Sequence, residues 1–302
     1  MTSSPRLVLG RSHALVSTIR SLSRSAEQRA REGLLVAEGI RLAEEALKQP
    51  ASIAQAVVSA RLSRDTRGRR LLQGLRAAGV PTRHAEDALM ASLHDAESHQ
   101  GVLLLVRRRE SSFDAPGPPE GRSRIVLLAC GLQDPGNVGA LVRLVEAAGG
   151  WGLIAAGGAD PFGPKAARAS AGSIFRLPVL RLPSEADARR MALSMRQRGL
   201  SLVAATARGG VDHREARLAP PVVLLLGSEA AGLPDSILDI VDGRVTIPVA
   251  HPVESLNVAA AAAVLLFEAA RPAPRGLVAS SGPPRRKGSR ATGRERRGAR
   301  SR

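Results

Sequence analysis

Leu224-Leu225-Leu226-Gly227-Ser228-Glu229-Ala230-Ala231-Gly232-Leu233 reads as a buried strand that ends in a loop bracketed by two glycines. Glycine lets backbone N–H and C=O groups come close to a ligand where any Cβ would intervene. Glu229 is the only charge in the segment. No Gly-Lys-Ser/Thr follows, so it is not a phosphate loop, and the Gly-x-Gly-x-x-Gly spacing of a dinucleotide site is missing. Taken singly, it is satisfied as a βα turn that needs small residues.

Outward from this strand, the chain alternates strand-like and helix-like runs. Arg124–Cys130, Trp151–Ala155, Leu200–Ala205, Val222–Leu226 and Val245–Ile247 predict strands; Ala140–Ala148, Lys165–Ala171, Glu185–Arg198 and Ser255–Ala270 predict helices. Such alternation predicts an α/β fold with a parallel sheet over 123–271. The five successive alanines of Ala259–Ala263 imply very close packing of the last helix. Residues 109–122, with Pro116, Pro118 and Pro119 among Gly117 and Gly121, predict a linker. Before it, 1–108 predicts a smaller α/β domain, its first 30 residues basic. Helices are expected over Glu38–Lys48, with an i,i+4 Glu44–Lys48 pair, and over Gly68–Gly79. Ala56–Val58 and Gly101–Val106 look like short buried strands. After Arg271 the chain turns to Pro, Gly, Ser and Arg, so 272–302 is expected to be a disordered basic tail.

The chain has 302 residues and a net charge of +17, spread as +7 over 1–110, +1 over 111–271 and +9 over 272–302. Basicity at the two ends around a neutral middle favours a polyanionic partner such as nucleic acid. The single cysteine, Cys130, excludes a disulfide framework or a cysteine-rich zinc site. The six histidines show no ligand-like pairing, so no metal is expected. No apolar run reaches the roughly 18 residues of a membrane helix, and the first residues lack secretory-signal design; a cytoplasmic location is expected.

Two further loops follow predicted strands, where the chemistry of open α/β sheets gathers. Leu132-Gln133-Asp134-Pro135-Gly136-Asn137-Val138-Gly139 leads into a helix carrying Arg143. Pro-Gly makes the turn, Asn137 offers an amide, and Gly139, one helical turn before Arg143, leaves the guanidinium unobstructed. Ile247-Pro248-Val249-Ala250-His251-Pro252-Val253-Glu254-Ser255-Leu256-Asn257-Val258 places Ser255 as a helix N-cap, with Asn257 in the first turn. A tight turn with one solvated arginine, and a capped helix, also account for these two segments individually.

In this order and spacing, the three segments closely resemble the motifs of the SpoU (TrmH-like) family of SPOUT methyltransferases. Lys165–Pro178 resembles the family's intermediate region, while Ala37-Glu38-Gly39 and Gln100-Gly101-Val102 resemble the small substrate-binding domain of many members. The resemblance implies a deep trefoil knot in the C-terminal domain, a homodimer with each active site near the subunit interface, and S-adenosylmethionine as cofactor. It implies that Gly227, Ile247, Leu256, Leu225 and Gly232 line the cofactor. It further implies that Asn137, Arg143, Glu229, Ser255 and Asn257 form the polar active site.

The implied reaction is methylation of a ribose 2′-hydroxyl in RNA, ribosomal before transfer. A guanidinium is a donor only, so Arg143 is expected to bond an RNA phosphate or the developing alkoxide rather than to act as base. Glu229 either orients Arg143 by an ion pair or satisfies loop N–H groups. A non-catalytic RNA-binding or ribosome-assembly protein on the same scaffold is the alternative, as is a knotted enzyme acting on a base nitrogen.

Overall fold

Two sets of aliphatic strands build two separate sheets in the computed structural model, which describes residues 8–94, 99–109, 111–113 and 117–271. The expected tail, 272–302, lies outside the described residues.

The first sheet holds β1 (Leu34–Glu38), β2 (Ile53–Val58), β3 (Thr82–His84) and β4 (Val102–Arg107), in the order β1-β4-β2-β3. Side chains of a strand alternate between faces, and β4 shows the consequence. Leu103 and Leu105 pack with Val16, Ile19 and Leu22 of α1 (Ala14–Arg24), whereas Leu104 and Val106 join the core shared with the second sheet. Helix α2 (Ala26–Glu32) follows α1, and α3 (Ile40–Leu47), α4 (Thr66–Ala77) and α5 (Asp87–Leu93) complete the covering. Glu38 ends β1 rather than opening a helix, because Gly39, at φ +90°, breaks the chain there. The expected Glu44–Lys48 pair is absent. Lys48 bonds Glu45 at 2.7 Å, and Glu44 holds both nitrogens of Arg67 from α4 at 2.8 and 2.6 Å.

The second sheet has seven strands in the order β7-β6-β5-β10-β8-β11-β9, every neighbour parallel. They are β5 (Ser123–Cys130), β6 (Gly150–Ala156), β7 (Val179–Leu182), β8 (Ser201–Ala205), β9 (Val211–Asp212), β10 (Val222–Leu226) and β11 (Gly243–Thr246). Helices α6 (Pro135–Ala147), α7 (Pro164–Ala169) and α10 (Val258–Ala269) lie on one face; α8 (Glu185–Gln197) and α9 (Asp235–Leu238) lie on the other. Helix α6 starts five residues before the expected Ala140, because Asp134 caps it and Pro135 supplies a preset φ at its first position. Gly139 does not clear a path for Arg143. A Cβ there would stand 2.2 Å from the Ala166 carbonyl oxygen, so the glycine lets α6 and α7 touch.

All described residues fall in one compact unit. Charged side chains cross the junction between the sheets. Arg29 donates to Asp160 at 2.7 Å and to the Leu22 carbonyl at 2.5 Å. Arg168 of α7 pairs with the buried Glu38. Arg176 grips both oxygens of Glu146 at 2.9 and 2.8 Å and one of Glu45 at 2.6 Å. Arg108 stacks 3.9 Å above the Phe162 ring. Within the expected linker, Phe113 is fully buried against Trp151, ring centroids 5.4 Å apart.

Candidate active site

Loops leaving the carboxyl ends of β8, β10 and β11 surround one depression, and the loop after β5 is tied to them through Asn137 and Glu229. After β5, the Asp134 side chain accepts from Gly136 N at 3.1 Å, capping α6, and from Lys165 Nζ at 2.7 Å. The lysine first, then the backbone amide, holds the Asp134 carboxyl below its ordinary value. This turn delivers Asn137 in the first turn of α6.

After β10 the loop folds on itself. Ser228 and Gly232 exchange backbone hydrogen bonds of 3.1 and 2.9 Å, and Ser228 Oγ accepts from Ala231 N at 3.1 Å. A Cβ on Gly227 would lie 2.0 Å from the Gly232 carbonyl carbon, so only glycine permits this closure. Gly232 itself sits at φ +69°.

After β11 the chain runs exposed from His251 to Asn257, then enters α10. Asn257, not Ser255, is the N-cap, and its side chain accepts from Ala259 N at 2.9 Å.

The loops after β8, β10 and β11 border a cavity of about 610 Å³, with Asn137 and Asn257 just outside its lining, within the ~300–1,000 Å³ typical of small-molecule and cofactor sites. Leu226, Leu233, Val245, Ile247 and Leu265 give it apolar walls; Ser228, Glu229, Glu254, Ser255, Thr206 and Arg208 supply polar groups. Gly227, Gly232, Ile247 and Leu256 line it. Leu225 does not: it points to the opposite face of the sheet and is fully buried beside Ile237, since neighbouring strand residues face opposite ways. Leu226 takes its place.

Three of the polar candidates meet. Asn137 Nδ2 donates to Glu229 Oε1 at 2.6 Å, and Asn257 Nδ2 donates to Asn137 Oδ1 at 3.3 Å. One relay thus ties the ends of three loops. Glu229 therefore orients Asn137, and the expected ion pair with Arg143 is not formed. Arg143 is exposed, without a hydrogen bond or ion pair among the described residues, and lies outside the cavity lining. It stands six residues beyond Asn137 on α6, about 9 Å along the axis. Ser255 borders the cavity with its side chain exposed.

Sequence reading missed the Asp134–Lys165 brace and the Thr206–Gly210 loop. The first had a signal in Asp-Pro-Gly, a cap followed by a first-turn proline; the second had one in Gly209-Gly210, shortly after the strand that ends at Ala205. Cys130, at the end of β5, is buried and its thiol is pushed up to about 12 by desolvation. Among the described residues no cluster of His, Cys, Asp or Glu could hold a metal, and no helix is long and apolar enough to cross a membrane.

Residues 124–267 match the family description of the SpoU rRNA methylases, and residues 14–104 match an MRM3-like substrate-binding domain. An uncharacterized tRNA/rRNA methyltransferase of Synechocystis sp. is 31% identical over 272 residues, which cover 90% of this chain and 96% of the relative. The chain belongs to the SpoU rRNA methylase family. A 23S rRNA (guanosine(2553)-2′-O)-methyltransferase of Bacillus subtilis is 30% identical over 80% of this family member and 90% of itself. Two solved structures share its architecture at a TM-score of 0.71. One is an AdoMet-bound rRNA methyltransferase from Sinorhizobium meliloti, 28% identical, covering 87% of this chain and 97% of its own. The other is the SpoU methyltransferase AviRb of Streptomyces viridochromogenes in complex with AdoMet, 27% identical, covering 85% and 98%.

Proposed function

We infer that this SpoU family member is an S-adenosylmethionine-dependent enzyme that methylates a ribose 2′-hydroxyl of ribosomal RNA. The observation that carries this is the Asn137–Glu229–Asn257 relay, which meets the cavity after β10 and β11 through Glu229. The cavity fits the cofactor: its apolar walls suit an adenine, and the Gly227–Gly232 closure brings backbone to where a Cβ would stand. Gly227, Gly232, Ile247 and Leu256 would hold the nucleoside. When bound, the cofactor supplies an electrophilic methyl group on a sulfonium.

The protein's task is then alignment, which supplies much of the acceleration in such a displacement. Asn257 is fixed by capping α10. It fixes one end of the Asn137 amide while Glu229 fixes the other, so Asn137 is set before substrate arrives. Ser255, on the rim, places the ribose. Arg143, free of partners and donor only, bonds the phosphate beside the target ribose or the oxygen that develops charge, and the proton leaves to phosphate or water.

The finer architecture belongs to the same proposal. The 247–257 segment is threaded into a trefoil knot. In support, α10 follows β11 in the chain but packs back on α6 and β10. The enzyme works as a homodimer with its active sites near the subunit boundary. In support, Ala260, Val264 and Phe267 form an exposed apolar stripe on α10, Phe267 being 53% exposed. Residues 1–108 recognise RNA, 109–122 join them to the catalytic domain 123–271, and 272–302 adds cationic attraction to RNA. The enzyme acts in the cytoplasm, and no metal takes part.

The deciding experiment incubates purified protein with S-adenosylmethionine and ribosomal RNA lacking the modification, then digests the RNA and identifies nucleosides by mass. A 2′-O-methylnucleoside is expected. Methylation on a base, or none in protein that binds the cofactor, overturns the assignment.

A further inference from the structure

Charge on the rim of the cavity is only partly used by the reading above. Three charged residues border it: Arg208, Glu229 and Glu254. Glu229 is engaged by Asn137. Arg208 and Glu254 are exposed and have no hydrogen bond or ion pair among the described residues. Arg208 is the only cation among the described lining residues.

Its loop is built with care. Thr206 N donates to the Val245 carbonyl at 2.9 Å, and Gly210 N donates to Thr246 Oγ1 at 2.9 Å. A Cβ on Gly210 would come within 2.7 Å of the Val245 carbonyl carbon, so β11 and this loop touch directly. The loop is therefore pinned to β11 at both ends, and Arg208 is the middle of the three residues between the pins. The backbone of Arg208 is thus held at the edge of the cavity while its guanidinium is left unpaired and available to an anion.

A sulfonium nucleoside brings two positive groups, the sulfonium and the α-ammonium, and one negative group, the α-carboxylate. The rim offers the reverse, one cation and two carboxylates. We propose that Arg208 binds the α-carboxylate of S-adenosylmethionine and Glu254 faces its α-ammonium, so that this pair reads the amino-acid end of the cofactor. This rests on the cofactor reading above and adds the residues that distinguish the complete nucleoside from one without its amino acid.

The test titrates full-length protein calorimetrically with two nucleosides, S-adenosylhomocysteine and 5′-methylthioadenosine, which lacks the amino-acid end. Arg208→Ala is expected to weaken S-adenosylhomocysteine about tenfold, the scale of one charge-assisted pair, and to leave 5′-methylthioadenosine unchanged. Glu254→Gln should weaken the former several-fold and spare the latter. Should the alanine variant melt early, Arg208→Gln, which keeps the length of the side chain, carries the same comparison. Equal weakening of both nucleosides overturns the proposal. So does unchanged S-adenosylhomocysteine affinity; if RNA binding then falls, the arginine serves the RNA backbone instead. Failure of the unaltered protein to bind either nucleoside is a different result, because it removes the cofactor reading itself.

Discussion

The junction between the two sheets and the rim of the cavity use the same residue types in opposite ways. At the junction, charges are buried and matched: the side chains of Arg29 and Asp160 are only 5% and 8% exposed. Glu38 is covered by Arg168, and Arg176 spans two glutamates. At the rim, Arg208 and Glu254 are exposed and unpaired among the described residues, as is Arg143 outside it. A charge taken out of water is tolerated only with its partner in place, whereas an exposed charge costs little and stays available. The junction is thus a structural device whose parts cannot be removed singly. The exposed charges of the rim can be removed with little harm to the fold.

That contrast breaks first, if it breaks, at Asp160. Asp160→Ala leaves Arg29 buried without its carboxylate, with Arg181 also nearby. The expected cost is about 3–5 kcal/mol in urea unfolding; a loss below ~1 kcal/mol would mean that the pair is dispensable and the contrast false.

Asn137→Ala probes the other side. Turnover on ribosomal RNA is expected to fall about a hundredfold, with unfolding free energy changed by no more than ~0.5 kcal/mol. A matching loss of stability would make the relay a structural strut.

A smaller effect is expected at Arg176. For Glu146, burial is the largest influence and pushes the carboxyl up, but the hydrogen bonds from Arg176 and Ser173 and the charges of Arg176 and Arg122 together outweigh it, and the net direction is down. For Glu45, Lys48 first and Arg176 after it lower the carboxyl. Carboxyls lowered on folding add stability that is complete above their ordinary value of 4.5 and is lost as pH falls through the lowered values. Arg176→Ala should therefore cost roughly 1–2 kcal/mol at neutral pH and flatten the decline of stability below pH ~4.5. An acid slope identical to that of the unaltered protein would contradict this.

Least in size is the behaviour of Cys130. With its thiol pushed up to about 12 and buried, it should stay unlabelled by a thiol reagent at pH ~8 until the protein unfolds. Rapid labelling of folded protein would show that the end of β5 opens.

Some of this was legible in the residues and some was not. β10 was read to the residue because Val222–Leu226 is uniformly aliphatic and bounded by proline and glycine. β7 and β9 escaped because four residues carrying Arg181, and two residues at a sheet edge, leave no periodic signal. The parallel sheet followed from alternation of segment types. The joining of the two sheets into one core did not, since no local pattern encodes which faces meet. Resemblance to a family nominated Asn137, Glu229 and Asn257, but their hydrogen bonds span 92 and 120 residues and no spacing rule predicts them. For Glu229 the residues left open an ion pair with Arg143 or bonds to loop N–H groups, and it bonds Asn137; Asn137 and Arg143, six apart, leave the helix in different directions. Ser255 and Asn257 are both good caps by type, and the backbone path alone chose the second.

Phe113 carries a practical consequence. The stretch between the two sheets is a buttress, its ring wedged against Trp151 and within 2.6 Å of where a Cβ on Gly152 would stand. Trimming the polypeptide at Gly121 to isolate the methyltransferase half would uncover an indole and leave a hole in its wall. A self-sufficient fragment has to begin upstream of this phenylalanine. By the same token, the two halves are mortised, and RNA must be accommodated by loops and side chains, not by a swing about the connecting strand of chain.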